Sequence, residues 1–261
     1  MNIVVCLKQI PDLQQIRIKG RKPLLEGAPL IFGDMDKSAL EEAVRIKERT
    51  EGTKVIALAL GGAKLKDGIK EALAIGADEA VLLMDPLFDG SDTMGTARVL
   101  AKAIERIGEY DLILCGEGST DNYSGQVGPR LAEILDLPQI TYVRELEIED
   151  GKIRAVRNME ESFEVVEADL PALVTVADEI NQPRLASLRD ILRAARKPVQ
   201  EWTAADLGLS EDEVGAKGSA IEVVSNLAPE QERKQVVFEG DLDEVVEDLV
   251  NALTKEGVLG R

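Results

Sequence analysis

The chain contains no histidine, and its 261 residues include two cysteines, one tryptophan and only 3% aromatic side chains. Without histidine there is no Ser–His–Asp relay, no general base of the commonest kind and little to hold a transition metal. Cys6 and Cys115 each sit inside an apolar strand pattern and form no C-x-x-C, so neither a zinc site nor a dithiol redox pair is supported. Each reads as a small buried hydrophobe. No apolar run approaches the roughly 20 residues of a membrane-crossing helix. Lys and Arg number 31 against 49 Asp and Glu, and the net charge of −18 makes nucleic acid and anionic membrane poor partners. The opening MNIVVCLK enters a strand directly with no secretory leader, so the cytoplasm is the expected location. Two phosphate fingerprints are also missing. No G-x-G-x-x-G follows the first strand, and there is no G-x-x-x-x-G-K-[ST].

What is present is a regular alternation of strand and helix patterns through the first 140 residues. Buried strands are expected at Ile3–Leu7, Val55–Leu60, Glu79–Met84 and Leu112–Cys115. Helices are expected at Ser38–Arg49, at Lys64–Ile75 with Gly76 as an αL cap, and at Thr93–Ile107. This pattern implies an α/β fold with a parallel sheet covered by helices on both faces. After Gln139 the extended segments Ile140–Ile148, Lys152–Asn158 and Phe163–Glu167 read as an antiparallel extension, and Leu173–Val176 as one more buried strand. Asn181–Lys197 gives a proline turn and an arginine-rich helix. The stretch from Pro198, closing with an amphipathic helix at Leu242–Leu253, is too polar to bury a large core and reads as an arm packing on something else. The division expected is 1–180 for the nucleotide-binding α/β domain and 181–261 for a recognition loop and arm.

One segment carries most of the chemistry, DLILCGEGSTDNYSGQVGPRLAEILDLP from Asp111 to Pro138. Strand Leu112–Cys115 runs into a loop and then a helix with Val127, Leu131, Ile134 and Leu135 on one side. Ten of the thirteen positions from Gly116 to Gly128 are Gly, Ser, Thr, Asp, Asn or Gln. Such a turn offers unpaired amides and a helix N-terminus, which favour an anionic group such as a phosphate. N-capping alone accounts for one or two of these residues. Other loops meet it beyond the carboxyl ends of the strands, where open α/β sheets bind ligands. These are Lys8–Asp12, Gly33–Asp36, Leu60–Ala63 and Asp89–Thr93. Within the last, Asp92 reads as an N-cap or a ligand contact. A nucleotide site with no catalytic group beside it suits binding or electron transfer better than hydrolysis.

Five blocks occur in order: VVCLKQIPD, SALEEAVRIKE, ALAIGADEAVLL, GEGSTDNYSGQVGPRLAEILDLP and NQPRLASLRDILRAARK. With AVRNMEESFEVVEADLPALVT (Ala155–Thr175), they make the chain resemble the beta subunit of electron-transfer flavoproteins over essentially its whole length. In that signature segment Arg157 is the basic position, Glu160-Glu161 the acidic pair and Pro171 the proline. Ser162 stands where the family prefers Gly or an acid. The resemblance implies a Rossmann-like, adenine-nucleotide-binding domain and a C-terminal arm wrapped on an alpha subunit, the heterodimer carrying electrons for dehydrogenases or a quinone reductase.

By resemblance the cofactor-binding residues are Cys6, Gly33, Asp34, Met35, Asp36, Leu60, Asp92 and Thr93. In the loop they are Glu117, Gly118, Ser119, Thr120, Asp121, Asn122, Tyr123, Ser124, Gly125, Gln126, Val127 and Gly128. No catalytic or metal-binding residue is implied. Leu188, alone a plausible core leucine, aligns with the anchor that meets a partner dehydrogenase, with Arg184, Arg189 and Arg193 beside it. Two forms of the family share the fold. One holds a structural AMP in this pocket, the other a second FAD that takes hydride from NADH and splits the electron pair. DGSDTMGTARVLAKAI and Ser119-Thr120-Asp121 resemble the FAD form, whereas Gly33-Asp34-Met35-Asp36 replaces an Asn-Pro-Phe-like sequence. FAD with electron bifurcation is the expectation and AMP the alternative. Arg130 or the alpha subunit is a candidate cation beside a flavin. A universal-stress-type ATP module would lack the extension and arm, and an ATP-pyrophosphatase would need an SGGxDS-like loop where Lys8-Gln9-Ile10-Pro11 stands.

Overall fold

The structure, a computed structural model, describes residues 1–230 and 234–259; the parts of the expected arm at 231–233 and 260–261 lie outside it. In chain order the elements are β1 (Asn2–Pro11), β2 (Arg17–Lys19), β3 (Lys22–Leu24), β4 (Leu30–Phe32), α1 (Asp34–Arg49) and β5 (Lys54–Leu60). Next come α2 (Leu65–Ile75), β6 (Glu79–Leu83), α3 (Thr93–Ile107), β7 (Leu112–Gly116) and α4 (Val127–Ile134). The antiparallel part holds β8 (Gln139–Glu149), β9 (Lys152–Asn158) and β10 (Phe163–Asp169), followed by β11 (Ala172–Val176). The chain ends with α5 (Leu188–Ala194), β12 (Val199–Trp202), α6 (Gly215–Gly218) and α7 (Leu242–Lys255).

The main sheet runs β10-β9-β8-β11-β7-β1-β5-β6-β12, parallel from β8 to β12 and antiparallel across β8, β9 and β10. Period-two alternation sends the strand side chains to opposite faces. Ile3, Val5, Ala57, Leu82 and Leu114 pack with α1 and α2, through Leu40, Val44, Ile69 and Leu73. Val4, Cys6, Leu58, Val81 and Ile113 pack with α3 and α4, through Leu100, Ile104 and Leu131. The sheet is therefore a double-sided α/β layer, as the alternation predicts.

Several details differ from the sequence reading. Helix α1 begins at Asp34 rather than Ser38, with Asp34 and Asp36 in its first turn, where acids favour the positive end of the helix dipole. Ile134 on α4 is exposed instead of lining the core. The three-residue strands β2, β3 and β4 were not signalled. Nor was β12, which pairs parallel with β6 and carries Trp202 into the core along with Ala204, Leu207, Leu209 and Val214. Arg106 stacks over the Trp202 ring at 4.9 Å. Residues 199–218 thus extend the α/β body, and α7 has no buried residue of its own.

Gly76 is required for a reason other than an αL cap. Its φ is 156°, and an added Cβ would stand 2.6 Å from Val44 Cγ2 on α1. Glycine lets the end of α2 meet α1. Gly76→Ala is expected to cost about 1–3 kcal/mol by overpacking, and less in a Val44→Ala background, as read by urea unfolding. Equal cost in both backgrounds would place the penalty in the backbone and not in the overlap.

Candidate functional site

The chain travels from β1 outward through β5 and β6, and α3 then carries it back to β7 on the other side of β1. Loops leaving β1 and β7 therefore diverge, and ligands of open α/β sheets occupy the crevice at such a reversal. A cleft of about 420 Å³ lies there, at the carboxyl ends of the parallel strands. Its apolar floor contains Cys6, Leu60, Leu100 and Cys115, the two cysteines being register partners on β1 and β7. A hydrogen bond with Cys6, together with burial, pushes the Cys115 thiol well above its ordinary range. Both cysteines are free and buried among the apolar residues of the floor.

Asp36 closes one side of the floor. The first turn of α1 places its carboxylate beside both central strands, where it accepts a hydrogen bond from the Lys8 amide at 2.8 Å and lies against the Gly116 backbone. An added Cβ on Gly116 would stand 2.7 Å from the Asp36 carboxylate and 2.9 Å from Met35 Cβ, so glycine at the end of β7 is what admits α1. Burial dominates the electrostatics and raises the Asp36 pKa to about 7, against the opposing Lys8 hydrogen bond and charge.

The β7–α4 loop forms the opposite wall. Lys8, where β1 ends its pairing with β5, reaches across the cleft to Asp121 at 2.7 Å and to Ser119 Oγ at 3.2 Å. Burial would raise the Asp121 carboxyl, but the Lys8 and Ser119 hydrogen bonds outweigh it and hold it below its ordinary value. Tyr123, at φ 46°, donates its hydroxyl to Glu117, which pushes the phenol up to about 12. Glu117 itself is raised by burial, with Glu179 and Asp178 adding repulsion. Gly125 has φ 64° and turns the chain into α4. Among the described residues the amides of Gly125, Val127 and Gly128 have no hydrogen-bond partner, and they lie at the N-terminal end of α4. A Cβ on Gly128 would meet Thr175 Cγ2 at 2.4 Å, so this glycine seats α4 against β11.

Of the residues carried over from the resemblance, Cys6, Asp36, Leu60, Asp92, Thr93, Glu117, Gly118, Ser119, Asn122, Ser124, Gly125, Gln126 and Val127 line the cleft. Gly33, Asp34, Met35, Thr120, Asp121, Tyr123 and Gly128 are not among its lining residues. Asp92 is the N-cap of α3, accepting from the Met94 and Gly95 amides with one oxygen and from the Ala220 amide with the other. Both oxygens are thus engaged with backbone. Thr93 Oγ1 donates to Gln126 Oε1 at 3.0 Å, joining two loops over the floor. Arg130 makes no ion pair among the described residues and acts on the Asp92 carboxylate from a distance. The cleft also includes Ser91, from the Asp89–Thr93 loop, and Ile221 and Val223, which no motif marks.

Away from the cleft, Leu188 is 73% exposed, so the core reading of that leucine is corrected. Leu185 and Leu192 beside it are exposed as well. Ser187 and Asp190 form a capping box that starts α5 and presents this face, which Arg189 shares. Arg184 turns inward, its guanidinium bonded to Glu41 at 2.8 Å and to Glu48 at 2.5 Å on α1. It anchors the loop to the body.

Asp36 generates a pH prediction. Its native pKa of about 7 lies above the ordinary 3.8, so between those values the native protein holds a proton that the unfolded chain has lost. Stability should therefore fall as pH rises through that window, by about 1.4 kcal/mol per unit, and level off above it. Subtracting the urea-unfolding profile of Asp36→Asn from that of the wild type isolates this slope. Parallel profiles would contradict the shifted carboxyl.

Comparison with known proteins places these features in a family. An electron transfer flavoprotein domain matches residues 24–207. The electron transfer flavoprotein subunit beta of Thermoanaerobacterium thermosaccharolyticum is 44% identical over 99% of this chain and all of its own length. That of Clostridium acetobutylicum is 39% identical over 98% of this chain and 99% of its own. The caffeyl-CoA reductase–Etf complex subunit CarD of Acetobacterium woodii is 37% identical over 99% of this chain and all of its own. With sheet, cleft and end-to-end identity in agreement, the chain belongs to the electron transfer flavoprotein beta-subunit family.

Proposed function

We propose that this chain is the nucleotide-holding half of a cytoplasmic heterodimer with an electron-transfer flavoprotein alpha subunit. In this reading the heterodimer binds FAD in the cleft at the β1/β7 reversal and passes electrons from NADH or dehydrogenases to acceptors by electron bifurcation. The observation that carries the reading is the β7–α4 loop. Unpaired amides at Gly125, Val127 and Gly128 sit at a helix N-terminus beside an apolar floor, which pairs an anion site with a slot for a flat ring. The hydroxyls of Ser119 and Ser124 and the amide of Gln126 add polar contacts for a ribose or ribityl chain.

A bound FAD supplies the redox chemistry itself. The chain's work is to bind, orient and exclude water, and no acid or base in the cleft is needed for it. The net charge of −18 makes the local amides, and not side-chain cations, the device for an anionic ligand, since Lys8 is already paired with Asp121. The alternative occupant, AMP, is favoured by size. A cleft of about 420 Å³ falls near the lower end of the roughly 300–1,000 Å³ usual for ligand sites.

Docking completes the proposal. Exposed Leu188 and Leu192, with Arg189, offer an apolar and cationic face to a dehydrogenase or quinone reductase. The printed name of CarD, in a reductase–Etf complex, supports such a partner. The apolar side of α7, with Leu242, Val246, Leu249 and Val250 exposed, is the surface for the alpha subunit. Among the described residues no helix is long and apolar enough to cross a membrane.

The test is to denature the complex purified from co-expression with its alpha subunit and quantify FAD and AMP per heterodimer. Two FAD and no AMP is the expected result. One FAD and one AMP would replace bifurcation by the structural-AMP form. Absence of any adenine nucleotide beyond a single FAD would overturn the reading of the cleft.

A further inference from the structure

The cleft has an outer side that the βα loops leave open, and one segment crosses it. We propose that residues 220–228 are a strap over the bound nucleotide, with Ile221 and Val223 as its contact surface and the β2–β3 hairpin as its latch. The inference rests on the nucleotide reading of the cleft and adds binding residues and a gate to it.

The strap is fixed at both ends. At the inner end Asp92 accepts the Ala220 amide at 3.0 Å, and the Asp92 amide donates to Ser219 Oγ at 2.8 Å. The Ser219 hydroxyl also lies 2.7 Å from the Gly215 carbonyl oxygen, and Ser91 Oγ accepts the Gly215 amide at 2.7 Å. Gly215, at φ 69°, has no room for a side chain, because a Cβ would stand 2.2 Å from the Leu87 carbonyl oxygen. This end is therefore built into the body that frames the cleft. It also accounts for Asp92, whose carboxylate caps α3 and pins the strap with its two oxygens.

At the outer end the tip of the β2–β3 hairpin takes hold. Gly20 and Arg21, with φ of 55° and 64°, make the tight turn. Left-handed backbone at a non-glycine residue is uncommon, and it persists where surrounding structure holds it. Here it directs three groups of one residue at the strap. The Arg21 carbonyl accepts the Ala228 amide at 2.7 Å, Nε donates to the Ala228 carbonyl at 3.0 Å, and Nη1 lies 3.3 Å from Glu230.

Between these anchors the strap presents apolar side chains to the cleft. Ile221 and Val223 line it, yet they remain 62% and 81% exposed in the protein alone. A linker tied at both ends with no role over the cleft would gain from polar residues there. An apolar pair above an apolar floor instead suits a flat ring between them. Both partners of the Arg21–Glu230 pair are solvent-exposed, so the latch is weak, reversible and salt-sensitive. Ligand exchange then proceeds through latch opening, without disturbance of the loop that holds the anion.

The experiment uses the full-length chain in its complex and follows release of the copurified FAD or AMP, by flavin fluorescence or filtration, with amide exchange at Ala228 as an independent readout. Arg21→Ala keeps the backbone carbonyl that holds the Ala228 amide but removes Nε and Nη1, so it should raise exchange at Ala228 and speed release about tenfold, the factor that corresponds to about 1.4 kcal/mol. Raised salt should move the wild type in the same direction. Ile221→Asn with Val223→Asn should speed release while Ala228 stays protected, which separates the contact surface from the latch. If the wild type holds nucleotide and all these variants release it at the wild-type rate, the strap is refuted and the cleft reading stands. A wild-type complex with no nucleotide in this chain removes both.

Discussion

A buried carboxylate holds together the place where the sheet changes direction. Asp36 bonds the Lys8 amide on one central strand and packs its carboxylate against Gly116 at the end of the other. Without it, the Lys8 amide would stand unpaired beside an apolar floor, at the cost of an unsatisfied buried donor. With it, α1 is docked by its first turn, the floor is closed beside Cys6 and Cys115, and the loop after β7 begins from a fixed point. The compensation is electrostatic. Burial raises the Asp36 pKa to about 7 against the Lys8 hydrogen bond and charge.

From that point the site is made mostly of backbone. The β7–α4 loop gives an anion unpaired amides, Thr93 and Gln126 bridge two loops, and Lys8 is spent on Asp121 in rigidifying the wall. In a chain with no histidine and 18 more negative than positive charges, the proposed site would meet ligand charge with dipoles that carry no counter-charge of their own. It also fits a protein that places a redox cofactor and leaves the chemistry to it.

Much of the fold was legible because parallel strands buried on both faces are written as unbroken Ile, Val, Leu and Ala runs, and the helices between them carry clear apolar stripes. β12 was not, since VQEW buries only Trp202 and its partner β6 lies far away in sequence. The start of α1 was read as loop because a glycine and two acids resemble a turn, although acids in a first helical turn are equally a helix signal. At the site, the loop after β7 announced itself by composition, and the resemblance supplied Cys6 and Leu60, which no local pattern marks as ligand contacts. Ile221 and Val223 could not be read at all. Their place over the cleft depends on Asp92 and Arg21, both more than a hundred residues away, and a short apolar pair in a polar stretch carries no signature of its own.

The central claim is that the cleft at the β1/β7 reversal holds an adenine nucleotide by the free amides of the β7–α4 loop. Hydrogen exchange of the full complex, stripped of nucleotide and then reloaded with FAD or AMP, tests it most directly. The account predicts that reloading slows exchange at Gly125, Val127 and Gly128 more than at any other amides of this chain's α/β body. Unchanged exchange at those three amides, with protection appearing elsewhere on the sheet or nowhere, would contradict it.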